Sequence, residues 1–349
     1  MPVSPVSVSS RTPHGAGSAR ILVVSLSWLG DCVMAMPALS SIRKCLPGSR
    51  FTMLAKPAVA PLWTLFPEVD EVITLKTGFA GMQTTVRAVR RGGFDFAYIL
   101  PKSFRSAWIP FLGRIPGRRG MSGHGRDWML SERASVTASS LAGHQSLEIA
   151  DILNISHDDL AQPPFLKIGE EAKEKARRRI ESTFGRSPGV MVAFFPGAAY
   201  GPSKRWPVDR FASVGRKLAD EKDCRILVLG GEGDRAECAQ VAQGIGSAAV
   251  NWAGQTDFLE LTSLLGECRA VVANDSGGMH LAAALGVPVV GIFGMTDPVK
   301  TAPVGTRKTI IVAQGVTRSR DIPRDSIEAR KAMESISIKE VYEAASAWL

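Results

Sequence analysis

The segment Ala273-Asn274-Asp275-Ser276-Gly277-Gly278-Met279-His280-Leu281 follows an apolar run and leads into the small residues Ala282-Ala283-Ala284. Small polar residues and two glycines at a helix start leave the first backbone N–H groups uncovered at the positive end of the helix dipole. An anion such as a diphosphate fits that corner. His280 falls about one turn further on, within reach of a sugar hydroxyl, although a lone histidine is more often structural. A second candidate is Ser27-Trp28-Leu29-Gly30-Asp31, where a carboxylate sits at the mouth of a strand and the start of a helix. The segment has neither the GxGxxG nor the GxxxxGK[ST] spacing. Asp31 is either a first-turn acid that stabilises the helix or a general base taking a proton from an attacking hydroxyl. In Phe195-Pro196-Gly197-Ala198-Ala199-Tyr200-Gly201-Pro202-Ser203-Lys204-Arg205-Trp206-Pro207, a glycine-containing loop precedes two cations. Lys204 there suits a phosphate as a mobile point charge, against the alternative of an ordinary charged loop. In Leu229-Gly230-Gly231-Glu232-Gly233-Asp234-Arg235, Glu232 could accept hydrogen bonds from ribose hydroxyls or a base edge, or simply open a helix.

Each of these segments needs a strand before it and a helix after it. Ile21–Leu26, Phe51–Ala55, Glu71–Leu75 and Phe94–Leu100 are apolar, largely β-branched or aromatic runs spaced widely enough for crossover helices, so residues from 20 to about 150 form one α/β unit. Ala161-Gln162-Pro163-Pro164 has linker composition, and Glu170–Ser182 is a charged, helix-favouring stretch. A second α/β series then places strands at Gly189–Phe195, Arg225–Leu229, Ala270–Ala273 and Val287–Phe293. Val341, Ala344, Ala345 and Leu349 share helical spacing and predict a terminal packing helix. The expected organisation is a leader over 1–19, a first domain over 20–160 and a second over 161–349, with the two parallel sheets facing an interdomain cleft. Ligands bind at the carboxyl ends of strands in such folds.

At 349 residues the chain exceeds what one core normally serves. Its 45% hydrophobic and 21% charged residues are globular values. No apolar run approaches the roughly 18 residues of a membrane span. Residues 1–19, rich in Ser, Pro and Gly, lack the apolar block of a secretory signal and predict a disordered leader on a cytoplasmic protein. Five scattered cysteines without CxxC spacing support neither a disulfide framework nor a zinc site. The net charge is +9, and the stretch from Lys76 to Arg133 holds eleven bases against three acids. That bias points to an anionic partner: nucleic acid, phosphorylated sugar or acidic membrane surface.

Together the segments resemble the ADP-heptose:lipopolysaccharide heptosyltransferases of glycosyltransferase family 9, most closely the heptosyltransferase II branch. The resemblance runs from about Ile21 to Pro303 and is carried by SWLGDCVMAMPAL (27–39), LPKSFRSAWIPFLGRIPGRRG (100–120), FFPGAAYGPSKRWP (194–207) and NDSGGMHLAAALGVPVVGIFG (274–294). It implies a GT-B fold of two Rossmann-like domains, with the acceptor on the first and the nucleotide sugar on the second. It also implies that Asp31 is the general base, that Lys204 contacts the donor phosphates and Glu232 the adenosine ribose, and that Asp275, Ser276 and Gly277 form the diphosphate loop. His280 would lie beside the heptose, and Thr256 would line the nucleotide pocket.

The implied reaction is inverting and needs no cofactor or bound metal, in keeping with the lack of a DxD motif. The acceptor implied is an anionic lipopolysaccharide inner core, heptosyl-Kdo2-lipid A, whose carboxylates and phosphates Lys102, Arg105, Arg118, Arg119 and Arg126 would steer. The protein would work at the cytoplasmic face of the inner membrane, with room for peripheral contact. A sister transferase with another core acceptor is the alternative. A non-catalytic nucleotide-sugar or RNA-binding protein is a third reading, for which no RNP, KH or helix-turn-helix pattern is present; no nucleic-acid partner is expected. Unlike many members of the branch, the chain has no cysteine in Val316–Ser335, and the high charge there predicts a mobile loop.

Overall fold

Runs of buried β-branched residues build two parallel sheets. In the computed structural model, which describes residues 18–319 and 322–349, the first sheet contains β1 (Arg20–Val24), β2 (Arg50–Ala55), β3 (Glu71–Thr74), β4 (Phe96–Ile99), β5 (Gly117–Met121) and β6 (Glu132–Ala134). The second contains β7 (Val190–Phe195), β8 (Cys224–Val228), β9 (Ala249–Asn251), β10 (Ala270–Asn274), β11 (Val289–Phe293) and β12 (Lys308–Val312). The expected leader lies, through residue 17, outside the described residues.

The strand orders are β3-β2-β1-β4-β5-β6 and β12-β11-β10-β7-β8-β9. Both are the doubly wound order, reversing direction between β1 and β4 in one sheet and between β7 and β10 in the other. At the second of these reversals, Ala273 pairs with Phe195 in a parallel ladder. The loops after these strands diverge there and leave a crevice at their carboxyl ends.

The chain forms two compact units. One takes residues through Ser27 together with Ala35–Ala142 and Ser146–Ala161; the other takes Trp28–Met34, Gly143–Gln145 and Gln162–Leu349. In the first, Leu22, Val24, Ala97 and Ile99 pack with Val89, Ala107, Ile109 and Met129. In the second, Val192, Phe194, Val272 and Ile292 pack with Trp206, Phe211 and residues of the last two helices, Met333, Val341 and Ala345. Asp31 thus belongs to the second unit rather than to the first domain over 20–160. The reason is long-range packing, since Leu29 and Gly30 pack against Gly277 and His280.

The described residues of 316–335 depart from the expected mobile loop. Arg318 donates to the carbonyls of Gly294 and Ala313, and Ile327–Ser335 is a helix whose cap, Ser326 Oγ, accepts from Ala329 N at 3.1 Å. Ala329, Ala332 and Met333 face inward at helical spacing while Glu328, Arg330, Lys331 and Glu334 face solvent. The high charge therefore marks the outer face of an amphipathic helix. Residues 320–321 lie outside the described residues. All five cysteines are free thiols, four of them buried and Cys45 exposed.

Candidate active site

The topological reversal in the second sheet positions the functional groups. β10 ends in Asn274, whose buried amide ties two loops together. Its Nδ2 donates to Pro196 O at 2.6 Å, and its Oδ1 accepts from Trp206 N at 3.0 Å. Ser276 is extended and the helix Gly277–Ala284 starts behind it without a side-chain cap. Ser276 Oγ is itself buried and has no hydrogen-bond partner. The amino-terminal N–H groups of this helix therefore stay available to an anion.

A cavity of about 440 Å³ opens in front of this corner, within the range of small-molecule sites. Loops following four strands line it: Phe195 and Gly197–Ala199 after β7, Leu229–Glu232 and Asp234 after β8, Gly254 and Thr256–Phe258 after β9, and Ser276–Gly278 after β10. Leu29, Leu261 and Leu281 complete the wall. Two glycines are required by close approach. A Cβ on Gly278 would lie 2.4 Å from the Phe195 ring, and Gly254, at φ +68°, would place a Cβ 2.3 Å from Glu232 Oε2.

Of the donor-side candidates, Glu232, Thr256, Ser276 and Gly277 line this cavity. The Glu232 carboxylate is 72% exposed and pairs with Arg235 at 3.0 Å. Lys204 does not line it. Its Nζ lies 2.6 Å from Asp275 Oδ2 and 5.3 Å from the centre of the Tyr200 ring. Asp275 is nearly buried and its own N–H donates to Ile292 O at 3.2 Å.

His280 is buried, with Nδ1 lacking a partner. A Cβ on Gly30 would meet its Cδ2 at 2.7 Å. Burial pushes its pKa down to about 4, so the imidazole is neutral at physiological pH. Asp31 occupies the first turn of the helix Leu29–Cys45, one residue from the position packed on His280 and two from the cavity-lining Leu29.

The depressed His280 pKa has a definite sign. Between its ordinary value of 6.5 and about 4, the unfolded chain binds a proton that the folded chain does not. Stability therefore falls as pH drops through that window, with a limiting slope of about tenfold in the folding constant per pH unit. Urea unfolding between pH 7 and pH 4 should show this loss, and His280→Gln should flatten the curve there. An equal slope in the variant would refute the assignment.

The five acceptor-side cations separate. Lys102 is 44% exposed at its side chain and pairs with Glu148 at 2.8 Å, and Arg105 is exposed. Arg118 donates to the carbonyls of Ile115, Pro116 and Met129, and Arg119 to Ile152 O at 2.8 Å and to Glu132 at 3.2 Å.

Arg126 overturns its expectation. It has no exposed surface, and its guanidinium donates to the carbonyls of Met121, Pro101 and Ser103 and to Ser106 Oγ. It ties these segments together and presents no surface to a ligand. Arg126→Ala should cost about 2–4 kcal/mol by leaving those acceptors unpaired. An unfolding free energy in urea within about 0.5 kcal/mol of the parent would contradict this.

Phe258, Leu261 and the buttress Asn274 were not among the sequence candidates. Asp257, whose side chain accepts from Glu260 N at 2.8 Å, has the spacing of an N-cap followed by Glu three residues on. That pattern marks the helix start that delivers Phe258 and Leu261 to the cavity wall. Among the described residues no group of three or more His, Cys, Asp or Glu side chains could hold a metal ion, and no helix is long and apolar enough to cross a membrane.

Residues 82–330 match the family model of glycosyltransferase family 9 (heptosyltransferase). The chain belongs to that family. Lipooligosaccharide heptosyltransferase 2 of Haemophilus ducreyi is 32% identical over 319 residues, covering 84% of this chain and 88% of the relative. Lipopolysaccharide heptosyltransferase 2 of Escherichia coli is 29% identical, covering 84% and 87%. The solved structure of ADP-heptose lipopolysaccharide heptosyltransferase II from E. coli superposes with a TM-score of 0.80 at 26% identity, over 94% of this chain and 98% of that one. The fold of this family 9 glycosyltransferase is therefore GT-B, and the reading of a non-catalytic binding protein is set aside.

Proposed function

We propose that the protein is a heptosyltransferase II-like enzyme. It would transfer L-glycero-D-manno-heptose from ADP-heptose to heptosyl-Kdo2-lipid A, with inversion and without a metal ion. The observation that carries the donor assignment is the cavity at the carboxyl ends of β7–β10, with the uncapped glycine start of Gly277–Ala284 at one end and Phe258 and Leu261 on its wall. The diphosphate takes the N–H groups and Ser276 Oγ, with Lys204 swinging from Asp275 to add positive charge. The Glu232 carboxylate accepts from the ribose, with Thr256 beside it. Asp275 belongs to the diphosphate loop, and His280, neutral, lies beside the heptose. The acceptor is held by the first unit, where Lys102 and Arg105 are exposed to its carboxylates and phosphates.

In the reaction, Asp31 removes the proton from the acceptor hydroxyl. The oxygen attacks the anomeric carbon from the face opposite ADP, and the N–H groups and Lys204 absorb charge on the departing diphosphate. No covalent sugar–enzyme intermediate is required, and fixed dipoles with Lys204 perform the role a divalent ion has elsewhere. The relatives' names support this donor and this kind of acceptor. The site of action is the cytoplasmic face of the inner membrane, with no nucleic-acid partner.

The deciding assay supplies ADP-heptose and defined core acceptors carrying one heptose or none, and determines the linkage and anomeric configuration of the product. Transfer with inversion to the mono-heptosyl acceptor, in the presence of a chelator, supports the reading. Transfer only to the heptose-free acceptor identifies the sister transferase, and loss of turnover with the chelator refutes metal independence.

A further inference from the structure

The first unit carries a row of aromatic rings along one helix, with Phe104 exposed and Trp108 and Phe111 partly buried against its core. Phe104–Leu112 buries Ala107, Ile109 and Pro110, while Phe104, Trp108 and Phe111 recur at i, i+4 and i+7 and form one stripe. Phe104 stacks on Trp108 at 5.7 Å and Trp108 on Phe111 at 6.2 Å. Trp128, from the following short turn, stands edge-on to Trp108 at 6.1 Å and to Phe111 at 5.0 Å. The rings shield one another's flanks, yet Trp128 remains 58% exposed and Phe104 42%. Contiguous exposed aromatic surface of this kind marks an interaction site.

The charge around the rings selects the partner. Between Glu71 and Asp127 the sequence has one acid, Asp95, against ten bases. Asp95 accepts from the backbone N–H of Arg20 at 2.8 Å, and Asp127, next to Trp128, turns onto Gly123 N at 2.8 Å. Arg105 and Arg114 are exposed at the two ends of the helix. The Arg118 guanidinium lies 5.6 Å from the Phe111 ring centre, and Arg90 donates to Leu112 O at 2.8 Å. A second copy of the chain would oppose like charges here. Exposed Trp and Phe ringed by Arg is the composition of a segment that lies in a membrane interface.

We propose that this face seats the protein on an anionic bilayer. Phe104 and Trp128 enter the headgroup region, braced from beneath by Trp108 and Phe111, and Arg105 and Arg114 meet lipid phosphates. Arg105 is shared with the acceptor-binding role proposed above, and the test therefore uses vesicles that contain no sugar acceptor, so that bilayer docking is read separately from it.

The full chain is sedimented with phosphatidylglycerol/phosphatidylethanolamine vesicles and, separately, with phosphatidylcholine vesicles. Binding should favour the anionic vesicles and drop at about 0.5 M salt. Brominated lipids should quench the tryptophan fluorescence. Phe104→Ser/Trp128→Ser should bind about tenfold or more weakly, while Trp128→Phe, which keeps a ring, retains binding. Thermal stabilisation by ADP serves as the check that the variants are folded. Absence of binding to anionic vesicles, binding unchanged in the folded double variant, or a dimer in light scattering that the double variant dissolves would each overturn the proposal.

Discussion

Asp31→Asn should lower kcat by about 10²–10⁴-fold while leaving ADP affinity within a factor of about two. The substitution keeps the shape of the side chain and removes the group that would accept the proton. Asp31 sits in the first turn of Leu29–Cys45, where an acid also stabilises the helix, so some loss of stability, up to about 1 kcal/mol, accompanies it. The two contributions separate experimentally. A helix-stabilising role shifts the melting temperature and leaves kcat intact, whereas a base role lowers kcat at temperatures where the variant is fully folded. Asp31→Glu, which restores a base at the wrong distance, should recover part of the rate. A folded Asp31→Asn enzyme turning over at the parent rate would reject the assignment.

Lys204→Ala should weaken ADP binding by about 10–100-fold, equivalent to about 1.4–2.7 kcal/mol. It should also destabilise the protein without ligand. The second effect follows from the ion pair. Lys204 Nζ is 2.6 Å from Asp275 Oδ2, and both side chains are largely buried, at 19% and 7% exposure. Removing the cation strands a buried carboxylate, which costs more than the pair itself is worth. Asp275→Asn in the same background should restore stability but not ADP affinity, because the neutral amide needs no counter-charge while the diphosphate still lacks its cation. Calorimetric titration of ADP beside urea unfolding distinguishes the two. Unchanged ADP affinity in Lys204→Ala would confine Lys204 to a structural pair with Asp275.

Strands buried on both faces were legible as apolar runs: β1, β10 and β11 are buried almost throughout and stand where the sequence places strands. β5 was not, because Gly117-Arg118-Arg119-Gly120-Met121 offers no such run. β6, β9 and β12 lie at sheet edges, where burial on fewer sides relaxes the demand for apolar residues, and the first two are three residues long. The uncapped helix start at Ser276–Gly278 could be read because small residues and glycines at a strand end have few other uses. The burial of Arg126 could not, since a charge count does not distinguish a guanidinium that reaches solvent from one that donates to four acceptors within the fold. The stretch 316–335 misled for the opposite reason. From Ile327 to Ser335 its charges lie on one side of a helix, and the spacing of Ala329, Ala332 and Met333 carried the signal that the composition hid. Membership of Asp31 in the second unit depends on contacts of Leu29 and Gly30 with residues nearly 250 positions away in the chain, beyond the reach of local patterning.

The account depends on the cavity at the strand reversal of the second unit being the nucleotide-sugar site, and a crystal structure of the protein soaked with ADP tests that most directly. The account predicts the β-phosphate at roughly 3 Å from the N–H groups of Gly277 and Gly278 and from Ser276 Oγ, with the ribose at Glu232 and the adenine against Phe258 and Leu261. ADP bound among the arginines of the first unit, with the corner at Ser276–Gly278 left to solvent, would contradict it.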